Sequence, residues 1–225
     1  MSEIRKGQGF DDIVKSDDSY QNILTGMYNE MRLRGKDEDV EYLKKIPLAK
    51  SFQFISLVKS NGKWDHKPII KKYTNSFYHK KERSLNGSKP ATVLGTPLPN
   101  DKNYIYDYDI WSNIHFGYVG RMIDFPKTFL DIGAKGHDVL MGHSFSSAFS
   151  KNNKDANAVK LGVELYKTYG TDLKKSDLER EIYRNRHLLN RYPRYDLVEK
   201  SHTVKKGETV FTIALKNNVP VEELI

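Results

Sequence analysis

Two short segments of the chain concentrate side chains that can transfer protons. Asp65, His66 and Lys67 follow the turn at 61–62 and bring a carboxylate, an imidazole and an ammonium into consecutive positions. The segment 106–121 sets acids, a histidine, an asparagine and a serine among large apolar side chains. These residue types predict acid–base chemistry, because they donate and accept protons and bind anions.

The second segment predicts a helix that carries a polar site. Trp111, His115 and Tyr118 recur at helical spacing and therefore share one face. Asp109 and Asn113 lie one turn apart beside that face. A half-buried core helix whose polar tips find local partners explains the pattern alone equally well. The neighbouring cluster of carboxylate, imidazole and ammonium favours the catalytic interpretation.

The two motifs together resemble the polymorphic toxin type 44 family. That family is a C-terminal toxin module of bacterial effectors that secretion systems deliver. The segments 64–69 and 108–120 carry the resemblance, which extends from about residue 28 to about residue 170. The resemblance implies a toxin more firmly than it implies a particular reaction.

Residues of both motifs form the predicted site. The predicted catalytic residues are Asp65, His66, Lys67, Asp109, Asn113 and His115. The predicted substrate-binding residues are Trp64, Trp111, Ser112, Tyr118 and Arg121. No residue is assigned as a metal ligand and no cofactor is required, although imidazole and carboxylate would suit a divalent metal.

The C-terminal tail carries a separate signature. The segment 201–225 predicts a strand, a glycine turn, an amphipathic helix and the start of a second helix. It resembles the first half of a LysM domain, a module that in complete form binds glycans containing N-acetylglucosamine, such as peptidoglycan. Because the second strand of the LysM fold is not supplied, we expect an incomplete module, in either a fragment of a longer protein or a truncated product.

Composition and charge limit the classes of function. Cysteine is absent, which excludes disulfides, thiolate nucleophiles and zinc sites built on sulfur. No stretch approaches the roughly 18 apolar residues of a membrane span, and the N-terminus lacks the apolar core of a secretory signal. Export by a dedicated secretion apparatus therefore fits, as does residence in the cytoplasm. A net charge of +8 favours polyanionic partners.

The hydrophobic periodicity predicts an α+β fold that is predominantly helical, with a few short strands. Helices are predicted at 19–35, 37–46, 51–59, 109–123, 126–136, 155–169 and 176–189, and strands at 71–78 and 103–108. We divide the chain into a flexible N-terminal segment (1–18), a toxin domain (19–195) and an incomplete LysM-like βα module (196–225).

Hydrolysis of peptidoglycan or another cell-wall polymer is the function we favour. Asp65 and Asp109 would supply the carboxylates, with Asp107 in reserve, while His66 and His115 transfer protons. A metal-assisted version would use Asp109 with both histidines. The toxin would act in the periplasm of the target cell. An acidic immunity protein is the expected partner, because it would cover a basic toxin surface.

Two alternatives stay open. A ribonuclease toxin would cleave RNA or transfer RNA in the target cytoplasm, with His66 and His115 as base and acid and with Lys67 and Arg121 stabilising the phosphate. That mechanism agrees with the basic charge but makes no use of the tail. A non-enzymatic LysM-type adaptor of a secretion or tail apparatus would leave both polar motifs unexplained except as buried networks.

Overall fold

In the computed structural model the chain divides into two compact units, Met1–Pro193 and Arg194–Ile225. The structure describes residues 5–11, 13, 18–46, 49–74, 94–126, 154–193 and 203–217. All statements below concern these residues.

The first unit is built mainly from helices. They are α1 (Ser19–Arg34), α2 (Glu38–Lys45), α3 (Lys50–Val58), α4 (Lys67–Thr74), α5 (Asp109–Met122), α6 (Lys154–Tyr169) and α7 (Lys175–Arg184). Single turns of 3-10 helix occupy Gln8–Phe10, Gly170–Asp172 and Arg186–Leu188.

Helix α1 begins at a polar cap and buries an apolar stripe. The Asp18 carboxylate accepts a hydrogen bond from the backbone N–H of Gln21 at 3.2 Å, which satisfies a donor that the helix itself leaves free. Ile23, Met27 and Met31 recur at i, i+4 and i+8 and are buried. The helix predicted at 19–35 is thus observed with nearly the same bounds.

The chain before α1 contributes to the core. Phe10 is buried, and a Cβ atom at Gly26 would lie only 2.2 Å from its ring. The ring therefore packs onto α1 where the helix carries a glycine. The turn Gln8–Phe10, which lies within the segment 1–18 that we expected to be flexible, therefore carries a buried apolar contact.

A three-stranded antiparallel sheet lies beside the helices. Its strands are β1 (Gly95–Leu98), β2 (Asp101–Asp107) and β3 (Arg191–Pro193), in the order β1-β2-β3. Gly95 pairs with Asp107, and Tyr104 pairs with Pro193. Strand β2 is central and runs directly into α5, so the sheet fixes where that helix starts.

Some predicted elements differ from the structure. The strand predicted at 71–78 is wrong over 71–74, where the chain continues α4, and its remainder lies outside the described residues. The region around β1 was predicted as loop. Helix α7 begins at Lys175 rather than at Ser176, because the Asp177 carboxylate accepts the backbone N–H of Lys174 at 3.2 Å. It ends at Arg184, before the predicted limit of 189. The helix predicted at 126–136 falls almost entirely outside the described residues.

Helices α5 and α6 pack against each other at two glycines. A Cβ atom at Gly117 would lie 2.0 Å from the Val159 carbonyl oxygen, and one at Gly162 would lie 2.0 Å from the Ile114 carbonyl oxygen. Only glycine permits this approach. Two interactions show that the helices run in the same direction. Asp109 and Asp155, near the two helix starts, interact electrostatically, and the rings of Tyr118 and Tyr166 meet edge to face further along.

The second unit contains helix α8 (Val210–Asn217) after a turn at Gly207, where φ is +94°. Ile213 and Ala214 are its buried side chains. The glycine turn and the amphipathic helix agree with the predicted LysM-like pattern. Across both units, the predicted fold class, a predominantly helical α+β protein with a few short strands, is confirmed.

Candidate functional site

Glu30, His66 and His115 form a buried cluster. They come from α1, from the turn before α4 and from the middle of α5. The Nε2 atom of His66 lies 2.9 Å from Oε2 of Glu30, and the two imidazole rings meet edge to face with centroids 4.4 Å apart. Each residue is at most 1% exposed. The structure therefore brings together the two histidines that the sequence analysis singled out, but seals them from solvent.

A buried arginine extends this cluster. Arg34 follows Glu30 by one turn of α1, donates to Glu30 Oε2 at 2.7 Å and also donates to Asp37. The backbone N–H of Gly9 donates to Glu30 Oε1 at 2.7 Å. The Arg34 guanidinium lies over the Trp64 ring, 5.3 Å from its centroid. Because these charges are inaccessible to water, each depends on its partners to offset its desolvation.

Burial and the neighbouring charges shift two pKa values in this cluster. Burial alone would raise the pKa of Glu30, but the hydrogen bond from His66 and the charges of His66 and Arg34 together lower it. Burial holds the pKa of His115 well below its usual range, and the charges of His66 and Arg34 lower it further. His115 is consequently a neutral imidazole at physiological pH.

Several buried polar atoms near this cluster have no hydrogen-bond partner among the residues that the structure describes. They include Oδ1 of Asp109, Oγ of Ser112, Nε2 of His115 and Nδ1 of His66, together with Nε of Arg34 and the indole nitrogens of Trp64 and Trp111. The first three side chains recur every three residues along α5 and so form one row on the helix. Such atoms in a folded protein call for a water molecule or an ion.

A second, more accessible cluster lies where three helices begin. Lys67 is the first residue of α4, Asp109 the first of α5 and Asp155 the second of α6. The Lys67 ammonium is 3.3 Å from Asp109 Oδ2, and the Asp107 carboxylate accepts the backbone N–H of Asp109 at 3.1 Å. The side chains of Lys67 and Asp109 are 43% and 27% exposed, so a solute can reach them.

The three carboxylates of this second cluster differ in their electrostatic environment: Asp107 and Asp155 have raised pKa values, whereas Asp109 is ion-paired with Lys67. Burial raises the pKa of Asp107, and the charges of Asp109 and Asp155 raise it further. Burial likewise raises the pKa of Asp155, with a further contribution from Asp109. The Lys67 ammonium opposes both shifts and contacts Asp109 directly. The cluster thus combines two carboxyl groups that hold a proton more readily than usual with one that is ion-paired.

Asp65 has a structural task. Its carboxylate accepts the backbone N–H of Asn61 at 2.9 Å and that of Lys67 at 3.2 Å. These bonds tie the turn before α4 and cap the start of that helix. Both oxygens of Asp65 thus bind the backbone, and the catalytic role predicted for Asp65 stays a prediction.

The large aromatic side chains predicted to bind substrate lie in the core instead. Trp64, Trp111 and Tyr118 are 3%, 1% and 1% exposed. Tyr118 donates to the backbone carbonyl of Gly170 at 2.6 Å, and Trp111 packs against Tyr20 with ring centroids 6.0 Å apart. A sugar cannot stack on these rings unless the core opens, so the packing interpretation holds for them.

The remaining predicted residues lie along α5. Asn113 is partly exposed, one turn after Asp109, and its neighbour Ser112 is also partly exposed, although the Ser112 hydroxyl oxygen is buried. Arg121 lies twelve residues after Asp109, a separation of about 18 Å along a helix. Its guanidinium donates to the Phe125 carbonyl at 3.5 Å. Arg121 therefore belongs to the far end of α5 and not to either cluster.

Sequence reasoning missed Glu30 and Arg34 and assigned no site role to Asp155. One signal was present: Ile23, Met27, Glu30 and Arg34 share one face of α1, so a carboxylate and a guanidinium interrupt an apolar stripe. Buried charges on such a face require partners from elsewhere in the fold. The sequence could not identify the partner of Glu30, because His66 lies 36 residues away along the chain.

Comparisons with known proteins identify two regions of the chain. The family model described as bacterial toxin 44 matches residues 53–168, and the model of the LysM domain matches residues 202–225. No curated protein and no solved structure shows significant similarity. Within the described residues, no helix is both long and apolar enough to cross a membrane.

Proposed function

Because the chain belongs to the bacterial toxin 44 family, we propose that it is an antibacterial toxin that hydrolyses peptidoglycan or another cell-wall polymer. The observation that carries this proposal is the accessible cluster of Asp107, Asp109, Asp155 and Lys67.

Glycoside hydrolysis needs one carboxyl group that donates a proton and one that is ionised. Burial and mutual repulsion favour the protonated forms of Asp107 and Asp155, so either can protonate the leaving oxygen of a glycosidic bond. Asp109, ion-paired with Lys67, supplies the ionised carboxylate. It attacks the anomeric carbon directly or removes a proton from the attacking water, according to the separation of the carboxyl groups around the bound sugar.

An aromatic side chain at this cluster is suited to sugar binding. Tyr108 lies between Asp107 and Asp109 in the chain, is only partly buried, and has the Lys71 ammonium 4.8 Å from its ring centroid. Aromatic rings with one apolar face and one polar edge are common at binding surfaces. Tyr108 thus takes the stacking role that the buried tryptophans cannot fill.

The tail supports a cell-wall target. A LysM domain suggests binding to the glycan chains of the wall, and this chain carries a LysM match at 202–225, C-terminal to the toxin match at 53–168. The net charge of +8 also favours an acidic polymer such as peptidoglycan or teichoic acid. We propose delivery by a secretion apparatus, action in the periplasm of the target cell, and an acidic cognate immunity protein that covers the basic surface.

The ribonuclease alternative receives less support from the geometry. It requires His66 and His115 to contact a phosphodiester as base and acid. Both imidazoles are 1% exposed and sit against the Glu30–Arg34 ion pair. A polymer of RNA cannot reach them without opening the core.

The test compares two compartments and one matched pair of variants. The full chain is expressed in a bacterial host with and without a periplasmic signal, next to Asp109→Asn and the exposed control Asp172→Asn. We expect lysis only from the periplasm, loss of killing in Asp109→Asn, and full killing in Asp172→Asn. Purified protein should release reducing sugar ends from isolated peptidoglycan, and Asp109→Asn should release at least about a hundredfold fewer.

Killing from the cytoplasm without lysis, together with fragmented RNA, would overturn the proposal in favour of the ribonuclease. Full activity of Asp109→Asn would show that the carboxylate cluster is not the site. Loss of activity in both variants would point to a general effect of charge rather than to catalysis.

A further inference from the structure

The buried cluster of Glu30, His66 and His115 is separate from the carboxylates of the proposed reaction and has the residue types of a metal site. One potential ligand atom from each of its three residues lies within 4.8 Å of the other two. Ligands around a tetrahedral zinc ion lie about 3.4 Å apart, given bonds of about 2.0–2.1 Å. The Glu30–His66 contact of 2.9 Å lies within this distance, and the ligand atom of His115, within 4.8 Å of both, would have to move closer by up to about 1.4 Å.

One imidazole nitrogen on each histidine of the cluster lacks a partner in the described part of the chain. Nε2 of His115 is buried and has no hydrogen-bond partner within the described ranges. His66 contacts Glu30 through its Nε2, and its Nδ1 likewise has no partner among the described residues. Leaving a buried polar atom unpaired costs about 1–3 kcal/mol, so such atoms usually hold a water molecule or an ion. A neutral imidazole nitrogen with a free lone pair is the commonest metal ligand in proteins.

The charges around the cluster permit a cation. Arg34 is paired with Asp37 as well as with Glu30, so its positive charge is offset by a carboxylate outside the cluster. The Glu30 charge then remains to balance a divalent ion. Arg34 and the backbone N–H of Gly9 each donate a hydrogen bond to one Glu30 oxygen at 2.7 Å. Carboxylates that ligate metals are generally hydrogen-bonded in this way by neighbouring groups.

We propose that Glu30, His66 and His115 bind a divalent transition-metal ion, with zinc as the best match. Two imidazoles and one carboxylate are typical ligands of zinc sites and of sites for other divalent first-row metals. The ion joins α1, α5 and the turn before α4 in the centre of the first unit. It thereby holds Lys67, the residue after His66, at a fixed position beside Asp109.

The test uses the full chain, stripped of metal with a chelator and then titrated with Co²⁺ and Zn²⁺. We expect one equivalent of Co²⁺ to produce visible absorption bands, Zn²⁺ to displace it, and the melting temperature to rise with either ion. His115→Gln should weaken Zn²⁺ binding by more than about a hundredfold. The matched control is His187→Gln, because His187 is exposed on a 3-10 turn away from the cluster.

Two results would overturn the proposal: no binding of either ion by the intact chain, or binding that His115→Gln leaves unchanged. Equal weakening in His187→Gln would identify an adventitious surface site and overturn it as well. X-ray absorption of the zinc-loaded intact chain decides the question even if His115→Gln fails to fold, because it must show two imidazoles and oxygen ligands. Asp109→Asn should bind Co²⁺ normally, so failure of the metal site and failure of the proposed hydrolysis are distinguishable.

Discussion

At the residue scale, the protein places carboxyl groups in two environments that shift their pKa values in opposite directions. Glu30 and Arg34 are fully buried and ion-paired with each other, so their charges contribute to the specificity of the fold. Asp107 and Asp155 are held next to a third carboxylate, which disfavours their ionised forms. The first arrangement is typical of a structural network, and the second is typical of a catalytic centre.

The buried ion pairs should make Arg34 far more sensitive to substitution than its exposed neighbour. Arg34→Met leaves the Glu30 and Asp37 carboxylates buried without a cation, and we expect it to lower the free energy of unfolding by about 3–5 kcal/mol. Arg32→Met, on the exposed side of the same helical turn, should change it by less than about 0.5 kcal/mol. Urea denaturation of both variants measures the difference, and equal effects would contradict the assigned network.

The repulsion among the carboxylates should cost stability. Asp155→Asn removes a charge that burial and Asp109 disfavour, so we expect the melting temperature at neutral pH to rise by about 2–4 °C while peptidoglycan hydrolysis falls. Differential scanning calorimetry and release of reducing ends measure the two effects. A variant that is both less stable and fully active would argue that Asp155 only caps α6.

At the element scale, the glycine contact between α5 and α6 determines where the second cluster forms. Because the helices run in the same direction, their first turns lie together, and so do Asp109 and Asp155. Strand β2 delivers the chain to α5, and the turn capped by Asp65 delivers it to α4. The second cluster therefore lies where the N-termini of α4, α5 and α6 come together, and the backbone N–H groups there also favour negative charge.

A single added methyl group should disturb this contact. Gly162→Ala places a Cβ atom 2.0 Å from a backbone carbonyl of α5, so the helices must separate, and we expect a loss of about 1–3 kcal/mol in stability. The control is Gly35→Ala, whose nearest neighbours lie at 3.4 Å and whose φ is −61°. Thermal unfolding compares them. A neutral Gly162→Ala would mean that α5 and α6 are not in close contact.

The sequence predicts elements better than it predicts the contacts between them. Helices α1 and α5 follow from their apolar spacing and from the polar residues at their starts. Helix α4 was missed although Asp65 and Pro68 are both good signals for a helix start, because its lysines obscure the apolar face. Strand β1 was missed because Pro97 lies within it, and proline reduces strand propensity.

The candidate site was only partly predictable for a related reason. His66, Lys67, Asp109 and His115 lie in local motifs, and local motifs are visible in one sequence. Their separation into a sealed cluster and an accessible cluster depends on burial by α1 and α6, which no local pattern encodes. The exposure of Trp64 and Trp111 was misjudged for the same reason.

At the scale of the whole molecule, the pH dependence of stability follows from the buried histidine. The pKa of His115 is well below 6.5 in the folded state, so the unfolded chain binds more protons as the pH falls below about 6.5. Folding stability is therefore fully present above that pH and decreases below it. Glu30, with its lowered pKa, adds a further loss at more acidic pH, whereas Asp107 and Asp155 act in the opposite direction there.

We accordingly expect the melting temperature, measured with a chelator present, to fall by about 3–5 °C between pH 7.5 and pH 5.5. This corresponds to up to about 1.4 kcal/mol from one imidazole that stays neutral one pH unit below its unfolded pKa. His115→Gln should flatten this part of the profile, and His187→Gln should leave it unchanged. An identical slope in all three proteins would assign the effect to other groups.

The Arg34 network also sets how short a fragment of this chain can be and still keep the buried cluster. The family match begins at residue 53, yet Glu30, Arg34 and Asp37 precede that boundary, while the His66 imidazole that Glu30 contacts lies inside it. A fragment that began at residue 53 would leave His66 and His115 without their carboxylate. Any shortened form that keeps the buried cluster therefore has to include α1.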